Sequence, residues 1–255
     1  MIIYYVLTLF ANSNERNDLF GAACMKIIEA FHTIQDYSLK GLTKICYVSN
    51  STISRLSKKL FYDNLVQFCA YLKESKSEYL INGQILDTST TTIHESYEVL
   101  EKQMNDSITQ AKELLNPSTI QTILTLIQNA ERICIVGSPV PQSAYSLQME
   151  LNMQGKKASA YMKPTSQIEE MHSLSKNDLI ILYDGIGDAD ISKELVAEHS
   201  IGNLIVITPF TQYKKIYNTP YVIPYTRSNF TMNLFHTGVI TDFIISALQT
   251  KSSSL

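Results

Sequence analysis

The sequence predicts two folds in one chain: an all-α amino-terminal domain, then an α/β domain built on a five-stranded parallel sheet flanked by helices. Three observations predict this. Apolar residues recur at helical spacing as far as Leu72, short apolar runs alternate with helix-period segments beyond Ala130, and an aperiodic polar stretch lies between. The boundaries expected are a first domain over 1–75, a linker over 76–94 and a second domain over 95–255.

In the first domain, Phe20, Cys24, Ile27 and Phe31 fall at i, i+4, i+7 and i+11, which predicts a helix through roughly Asn17 to His32. A short helix holding Leu39 and Leu42 follows. Ser49 then caps another from about Asn50 to Lys59, its hydroxyl placed to accept a first-turn amide. Leu65, Phe68, Cys69 and Leu72 close this all-helical unit near Lys73. Beyond it "ESKSEY", "NGQ" and "TSTTT" read as linker.

The second domain opens on a long helix carrying Tyr97, Leu100, Met104, Ile108, Ala111 and Leu115. Asn116 as cap with Pro117 at the first position starts the next, which holds Ile120, Ile123, Leu124 and Ile127. "RICIVG", "KASAYM", "DLIILYDG" and "NLIVIT" read as strands. Helix-period segments, such as Ile191, Leu195, Val196 and His199, alternate with them, the order of βαβ crossovers. "TPYVIPY" supplies a fifth strand that Pro220 and Pro224 confine to an edge. In the last helix Phe235, Val239, Phe243 and Ala247 form one ridge and Ile240, Ile244 and Leu248 the next, a face wide enough to be mostly buried against the sheet or a partner subunit.

Composition narrows the function. With 255 residues, 45% of them hydrophobic, the chain can bury a sizeable core, and a net charge of −3 gives no global attraction to a polyanion. Cys24, Cys46, Cys69 and Cys134 are widely spaced and read as reduced residues of a cytoplasmic protein. His32, His94, His172, His199 and His236 lack ligand spacing, so no metal site is expected, and nothing implies a cofactor. "MIIYYVLTLF" has no basic flank or cleavage site and is too short to span a bilayer, so it reads as a packed or dimerising segment, with no membrane partner.

Charge is nonetheless concentrated in one place. Between Ser38 and Lys59 the chain carries Lys40, Lys44, Arg55, Lys58 and Lys59 against no acid, five bases minus zero acids, a local net of +5. On a wheel of about 100° per residue, Ile53, Leu56 and Leu60 share one face while Ser51, Arg55 and Lys58 point the opposite way, flanked by Thr52, Ser54 and Lys59. Leu42, Cys46, Val48, Ile53 and Leu56 take the positions that hold two helices crossing through a tight turn. A charged outer face is ordinarily only solvated. Here the acid-free stretch, the Ser49 cap and the two-helix spacing coincide, which favours a helix-turn-helix entering a major groove by the amino end of its second helix. The DNA-binding residues expected are Lys40, Ser49, Asn50, Ser51, Thr52, Ser54, Arg55, Lys58 and Lys59.

"LKGLTKICYVSNSTISRLSKKLFYDNLVQFCAYL" resembles the DNA-binding domain of RpiR-type bacterial transcription regulators, whose pattern runs roughly LAxxxxVSxxTxxRxxKKLGFxxFxxF. Leu42, Val48, Ser49, Thr52, Arg55, Lys58, Lys59, Leu60 and Phe68 match it. Thr43 and Phe61 depart from it, standing where Ala and Gly are usual, and Tyr47 occupies a turn position that often has positive φ. The resemblance implies a regulator, of carbohydrate metabolism or transport, that binds a palindromic operator in double-stranded DNA as a homodimer or tetramer. It also implies a carboxy-terminal sugar isomerase (SIS) domain with a sugar or sugar-phosphate effector.

Ligands of parallel α/β sheets bind outside the carboxyl ends of the strands, so the loops after Val136 and Leu182 are the expected effector site, with Ser138, Gln142, Ser143, Asp184, Gly185 and Gly187 as candidates. Both loops depart from the family pattern. In "GSPVPQSAY" Pro139 and Pro141 replace a Gly and a Ser and remove two amide donors; in "YDGIGDAD" Asp184, Ile186 and Ala189 replace hydroxyls. Asp184, Asp188 and Asp190, read as solvated acids, make that loop electronegative against a phosphate. Three readings stay open: an uncharged or cationic ligand, phosphate held by other donors (Ser138, Gln142, Ser143, Thr165, Ser166), or a domain kept for dimerisation. Two other functions compete with regulation: a sugar-phosphate isomerase or lyase using Glu169, Glu170 or His172, and an interaction module that binds no DNA.

Overall fold

Asp18, Ser38 and Ser49 each sit in extended backbone and accept the amide three residues on, from Gly21, Gly41 and Thr52 at 2.7, 3.2 and 3.2 Å. Each thereby satisfies an orphan donor and starts a helix. The computed structural model describes residues 2–13, 18–60, 62, 64–82, 92–137, 140–184, 203–209, 222–224 and 230–252. The chain divides into two units, Met1–Ile85 and Leu86–Leu255.

The first unit holds α1 (Ile2–Ser13), α2 (Leu19–Glu29), α3 (Leu39–Cys46), α4 (Asn50–Lys59) and α5 (Leu65–Asn82). Ile3 and Leu7 of α1 join Ala23, Cys24, Ile27, Leu42, Ile53, Leu56, Phe68 and Leu72 in one buried cluster, so the apolar first segment packs into its own domain. Three boundaries differ from expectation. Asp18 caps α2 and so begins it later than Asn17, α2 ends at Glu29 and not at His32, and α5 continues to Asn82, well past Lys73 and into the stretch read as linker. Its inward face continues in polar residues: Ser75 is 6% exposed, and Lys76 Nζ donates to the carbonyls of His32 and Ile34 at 3.2 and 3.0 Å.

The second unit also begins earlier than expected. Thr92 Oγ1 accepts the Glu95 amide at 3.3 Å while the Glu95 carboxylate accepts the Thr92 amide at 2.7 Å, a reciprocal capping box that starts α6 (Ile93–Leu114). The apolar face of α6 is buried only toward its end, at Ala111; Tyr97 is 67% exposed. Asn116 caps α7 (Pro117–Asn129) with proline at the first position. Then follow β1 (Arg132–Gly137), α8 (Gln142–Met153), β2 (Lys157–Ser159), α9 (Pro164–His172), β3 (Leu179–Tyr183), β4 (Asn203–Thr208), β5 (Val222–Pro224) and α10 (Phe230–Ser252). The predicted helix at Ile191 to His199 and the "TSTTT" run through Thr91 lie outside the described residues.

All strand pairs are parallel, in the order β2-β1-β3-β4-β5, with three longer strands between two of three residues each. Alternate side chains serve two cores. Ile133, Ile135, Leu179, Ile181, Ile205 and Ile207 pack with α7, α8 and α10, whereas Cys134, Val136, Ile180, Leu182 and Val206 pack with Ile168, Met171 and Leu174. Burial on both faces is why these strands read as continuous apolar runs. On α10, Ile240, Ile244 and Leu248 are buried and the ridge of Val239, Phe243 and Ala247 packs half-buried beside them. At the β2 edge, Ala158 donates to Asn152 Oδ1 at 2.9 Å and its carbonyl accepts from Gln148 and Asn152, each at 3.2 Å. Those bonds blunt an edge that could otherwise pair with another strand.

All four cysteines are free. Burial pushes the Cys24 thiol up to about 12 and that of Cys46 up to about 11, which keeps both unreactive. No helix among the described residues is long and apolar enough to cross a membrane.

Candidate functional site

The α3–α4 pair is built on buried spacing. Leu42, Ile53 and Leu56 are fully buried and Cys46 nearly so, and Cys46 Sγ donates to the Ala23 carbonyl at 3.5 Å, tying α3 to α2. Tyr47 ends α3 in the left-handed region at φ 56, ψ 40, its amide donating to the Thr43 carbonyl. The Val48 amide shares that acceptor at 3.3 Å. Gly41 makes the start of α3 possible: a Cβ there would lie 2.1 Å from the Asp36 carbonyl oxygen and 2.6 Å from its Cγ. Asp36 in turn accepts the Ser38 amide at 2.8 Å, and bonding to Ser38 holds its carboxyl below the usual range. Sequence reasoning missed Gly41, because its constraint comes from a loop packed across the helix.

The opposite side of α4 faces solvent. Lys40, Ser49, Asn50, Ser51, Arg55, Lys58 and Lys59 are exposed, with Thr52 and Ser54 half-buried. They are not equivalent. Ser49 Oγ is the helix cap and lies 2.8 Å from Ser51 Oγ and 2.9 Å from Thr52 Oγ1, so these hydroxyls are joined in a local cluster. Lys59 Nζ sits 5.0 Å over the Phe20 ring, drawn back toward α2 by a cation–π contact. Lys40 lies within electrostatic reach of Asp36. Among the described residues no ion pair holds Lys44, Arg55 or Lys58.

The carboxyl ends of the strands present a different picture. The Gly137 amide at the end of β1 donates to Gln167 Oε1 at 2.9 Å, and Gln167 Nε2 donates to the Gly137 carbonyl at 3.1 Å. Gln167 is 1% exposed, so a buried side-chain amide closes the backbone groups at the mouth of this strand. At the end of β3 the buried Tyr183 hydroxyl lies 2.8 Å from Thr241 Oγ1, which donates to the Thr237 carbonyl at 2.6 Å and lies 3.5 Å from Ser143 Oγ. Asp184 follows at 1% exposure, which corrects the expectation of a solvated acid there; its position directly after the buried β3 carries it inside. Its backbone amide continues the sheet, donating to the Ile207 carbonyl at 3.0 Å. Of the other effector candidates Gln142 is exposed and Ser143 half-buried, as are Thr165 and Ser166 respectively. Ser138, Gly185 and Gly187, with Asp188 and Asp190, lie outside the described residues. Gln167 was also missed, because no sequence spacing links it to Gly137.

The acids considered for catalysis lie along α9 toward its far end. Arg132, the first residue of β1, donates from Nη1 to Ser173 Oγ at 3.1 Å, so the end of α9 meets the strands' amino ends. His172 precedes that contact and is exposed, as is Glu169, with Glu170 half-buried. Asp178 holds the same end together, accepting from the Ser175 and Arg132 amides at 2.7 and 2.9 Å and from Arg132 Nη2 at 2.9 Å. Burial raises its pKa, but those donors outweigh it and leave the carboxyl below its ordinary value. Among the described residues no cluster of His, Cys, Asp and Glu could hold a metal ion.

No protein-family model matches this chain, and no curated protein does. Among solved structures it is similar to the NanR protein of Vibrio vulnificus complexed with ManNAc-6P, at 18% identity over 97% of this chain and 93% of that one, TM-score 0.52. It is also similar to the sugar isomerase domain of the RpiR transcription factor from Sphaerobacter thermophilus, at 14% identity over 60% of this chain and 89% of that one, TM-score 0.50. At these identities the likeness is one of fold: the helix-covered parallel sheet is SIS-like.

Proposed function

We propose that this chain is a DNA-binding transcriptional regulator of the RpiR type. In this reading α3 and α4 form a helix-turn-helix, and α4 enters the major groove by its amino end, where Asn50 and Ser51 allow close approach. Arg55 reads a base edge and Lys58 meets a phosphate; Lys40 and Lys44 flank them. Ser49, Thr52 and Ser54 shape that end of the helix. The observation that carries the reading is the pair Arg55 and Lys58, exposed on one helix with no ion pair among the described residues. Lys59 contributes least, because its ammonium already rests on Phe20.

The SIS-like unit serves regulation and assembly in a homodimer or tetramer that places two heads on a palindromic operator, and its effector is of the sugar class, phosphorylated or not. In this reading the unit is not an enzyme; what supports that is the place of Glu169, Glu170 and His172 on α9, whose end meets Arg132 at the amino end of β1, whereas ligands of such sheets bind at the carboxyl ends. The regulated genes are those of carbohydrate metabolism or transport.

Fluorescence anisotropy on genomic fragments selected by the protein tests the head. Arg55→Ala is expected to weaken operator binding by about 1 to 3 kcal/mol, and unchanged affinity would remove Arg55 from the interface. A thermal-shift series over free sugars and sugar phosphates tests the body. A ligand at 100 times its Kd adds about 2.7 kcal/mol, a shift of a few degrees for a chain of this size.

A further inference from the structure

Tyr47 is the non-glycine residue with positive φ among the described residues, and it is 87% exposed. These facts conflict on fold grounds alone. The left-handed region crowds Cβ against the backbone, so a turn needing φ 56 is ordinarily given to glycine or asparagine. A bulky aromatic residue accepts that strain where burial compensates, and at this exposure the ring buries almost nothing. Backbone strain retained without a packing return points to use at a surface.

Its position says which surface. Tyr47 stands two residues before the Ser49 cap, and Tyr47, Ser49, Asn50 and Ser51 are all exposed where the chain enters α4. A groove would take that end first, and phosphates line the groove on either side. A phenol there has reach that the short Ser and Asn side chains lack, and tyrosine hydroxyls are among the ordinary donors to phosphate oxygens.

We infer that Tyr47 is a DNA-positioning residue, its hydroxyl donating to a backbone phosphate beside the amino end of α4. The inference rests on the helix-turn-helix reading above. It differs from that reading in kind, since the contact is neutral and its loss leaves counterion release unchanged.

The test compares the full chain with Tyr47→Phe, Tyr47→Gly and Tyr47→Asn, by anisotropy on selected genomic DNA across a salt series and by thermal melting. The expected result is a fall of about 5- to 20-fold in affinity for all three variants, with the salt slope unchanged. The Gly and Asn variants, relieved of strain, are expected to melt at the same temperature or higher. Wild-type affinity in Tyr47→Phe would overturn the hydroxyl contact. A fall of several degrees in melting temperature in both the Gly and Asn variants would show instead that the ring supports the fold. If the wild-type chain bound DNA while these variants bound equally well, only this inference would fail. If the wild-type chain bound none at low salt, the regulator reading would fail with it.

Discussion

The amino end of α4 and the carboxyl ends of β1 and β3 are both places where backbone amides and polar side chains gather, and the chain treats them in opposite ways. On α4, Arg55 and Lys58 face water with no ion pair among the described residues, while Lys59 rests over Phe20. At the strand ends the groups turn inward: Gln167 closes Gly137, Tyr183 meets Thr241, and Asp184 is buried. An unpaired exposed charge carries little desolvation cost and is free to release counterions on binding, whereas a buried amide already bonded must lose that bond before it can serve a ligand. The contrast is the ground on which the proposed DNA contact is placed at α4.

The contrast can be broken from the frame outward. Gly41→Ala is expected to have the largest effect, about 3 kcal/mol of lost stability, because the added methyl would meet the Asp36 carbonyl rather than a flexible side chain. Urea denaturation followed by circular dichroism reads it, and a neutral result would show that the α3 start can move. Next comes Gln167→Ala, which leaves two buried backbone groups of Gly137 unbonded and is expected to cost about 1 to 3 kcal/mol. No change in the same assay would mean water replaces the side chain and the strand end is more open than it looks.

The smallest effect concerns His236. It is 8% exposed, with Nε2 3.3 Å from Ser107 Oγ, and burial lowers its pKa below the ordinary 6.5. A group buried neutral binds its proton more readily when unfolded, so its contribution is present above about pH 6.5 and is lost as pH falls toward the lower folded value. Stability measured from pH 7.5 down to 5.5 should therefore decline, less steeply in His236→Gln; identical slopes would remove His236 from the account.

What the sequence revealed and what it hid follow the same division between local and distant causes. The Ser49 cap, the Asn116–Pro117 start and the β-strand runs were legible because each depends on neighbours in the chain. The Thr92–Glu95 capping box was also local, yet it sits against a run of threonines that reads as linker. The far end of α5 was hidden because Ser75 and Lys76 occupy positions where an apolar residue signals burial, and Lys76 is held by carbonyls more than forty residues away, at His32 and Ile34. Gly41 against Asp36 is close in the chain but depends on how the turn before α3 folds back, and Lys59 over Phe20 and Gln167 on Gly137 are tertiary pairings; periodicity encodes none of them.

Neighbouring lysines on α4 test directly whether that helix meets DNA. Lys58 is exposed without an ion pair among the described residues, while Lys59 lies over Phe20, so they differ in surroundings more than in charge. The measurement is DNA affinity as a function of salt for the wild-type chain, Lys58→Ala and Lys59→Ala. Wild-type binding is expected to fall linearly in log K against log salt, with a slope shallower by about 0.9 in Lys58→Ala and nearly unchanged in Lys59→Ala. Equal slopes for the wild type and Lys58→Ala, or no binding at about 50 mM salt, where electrostatic attraction is strong, would contradict this expectation.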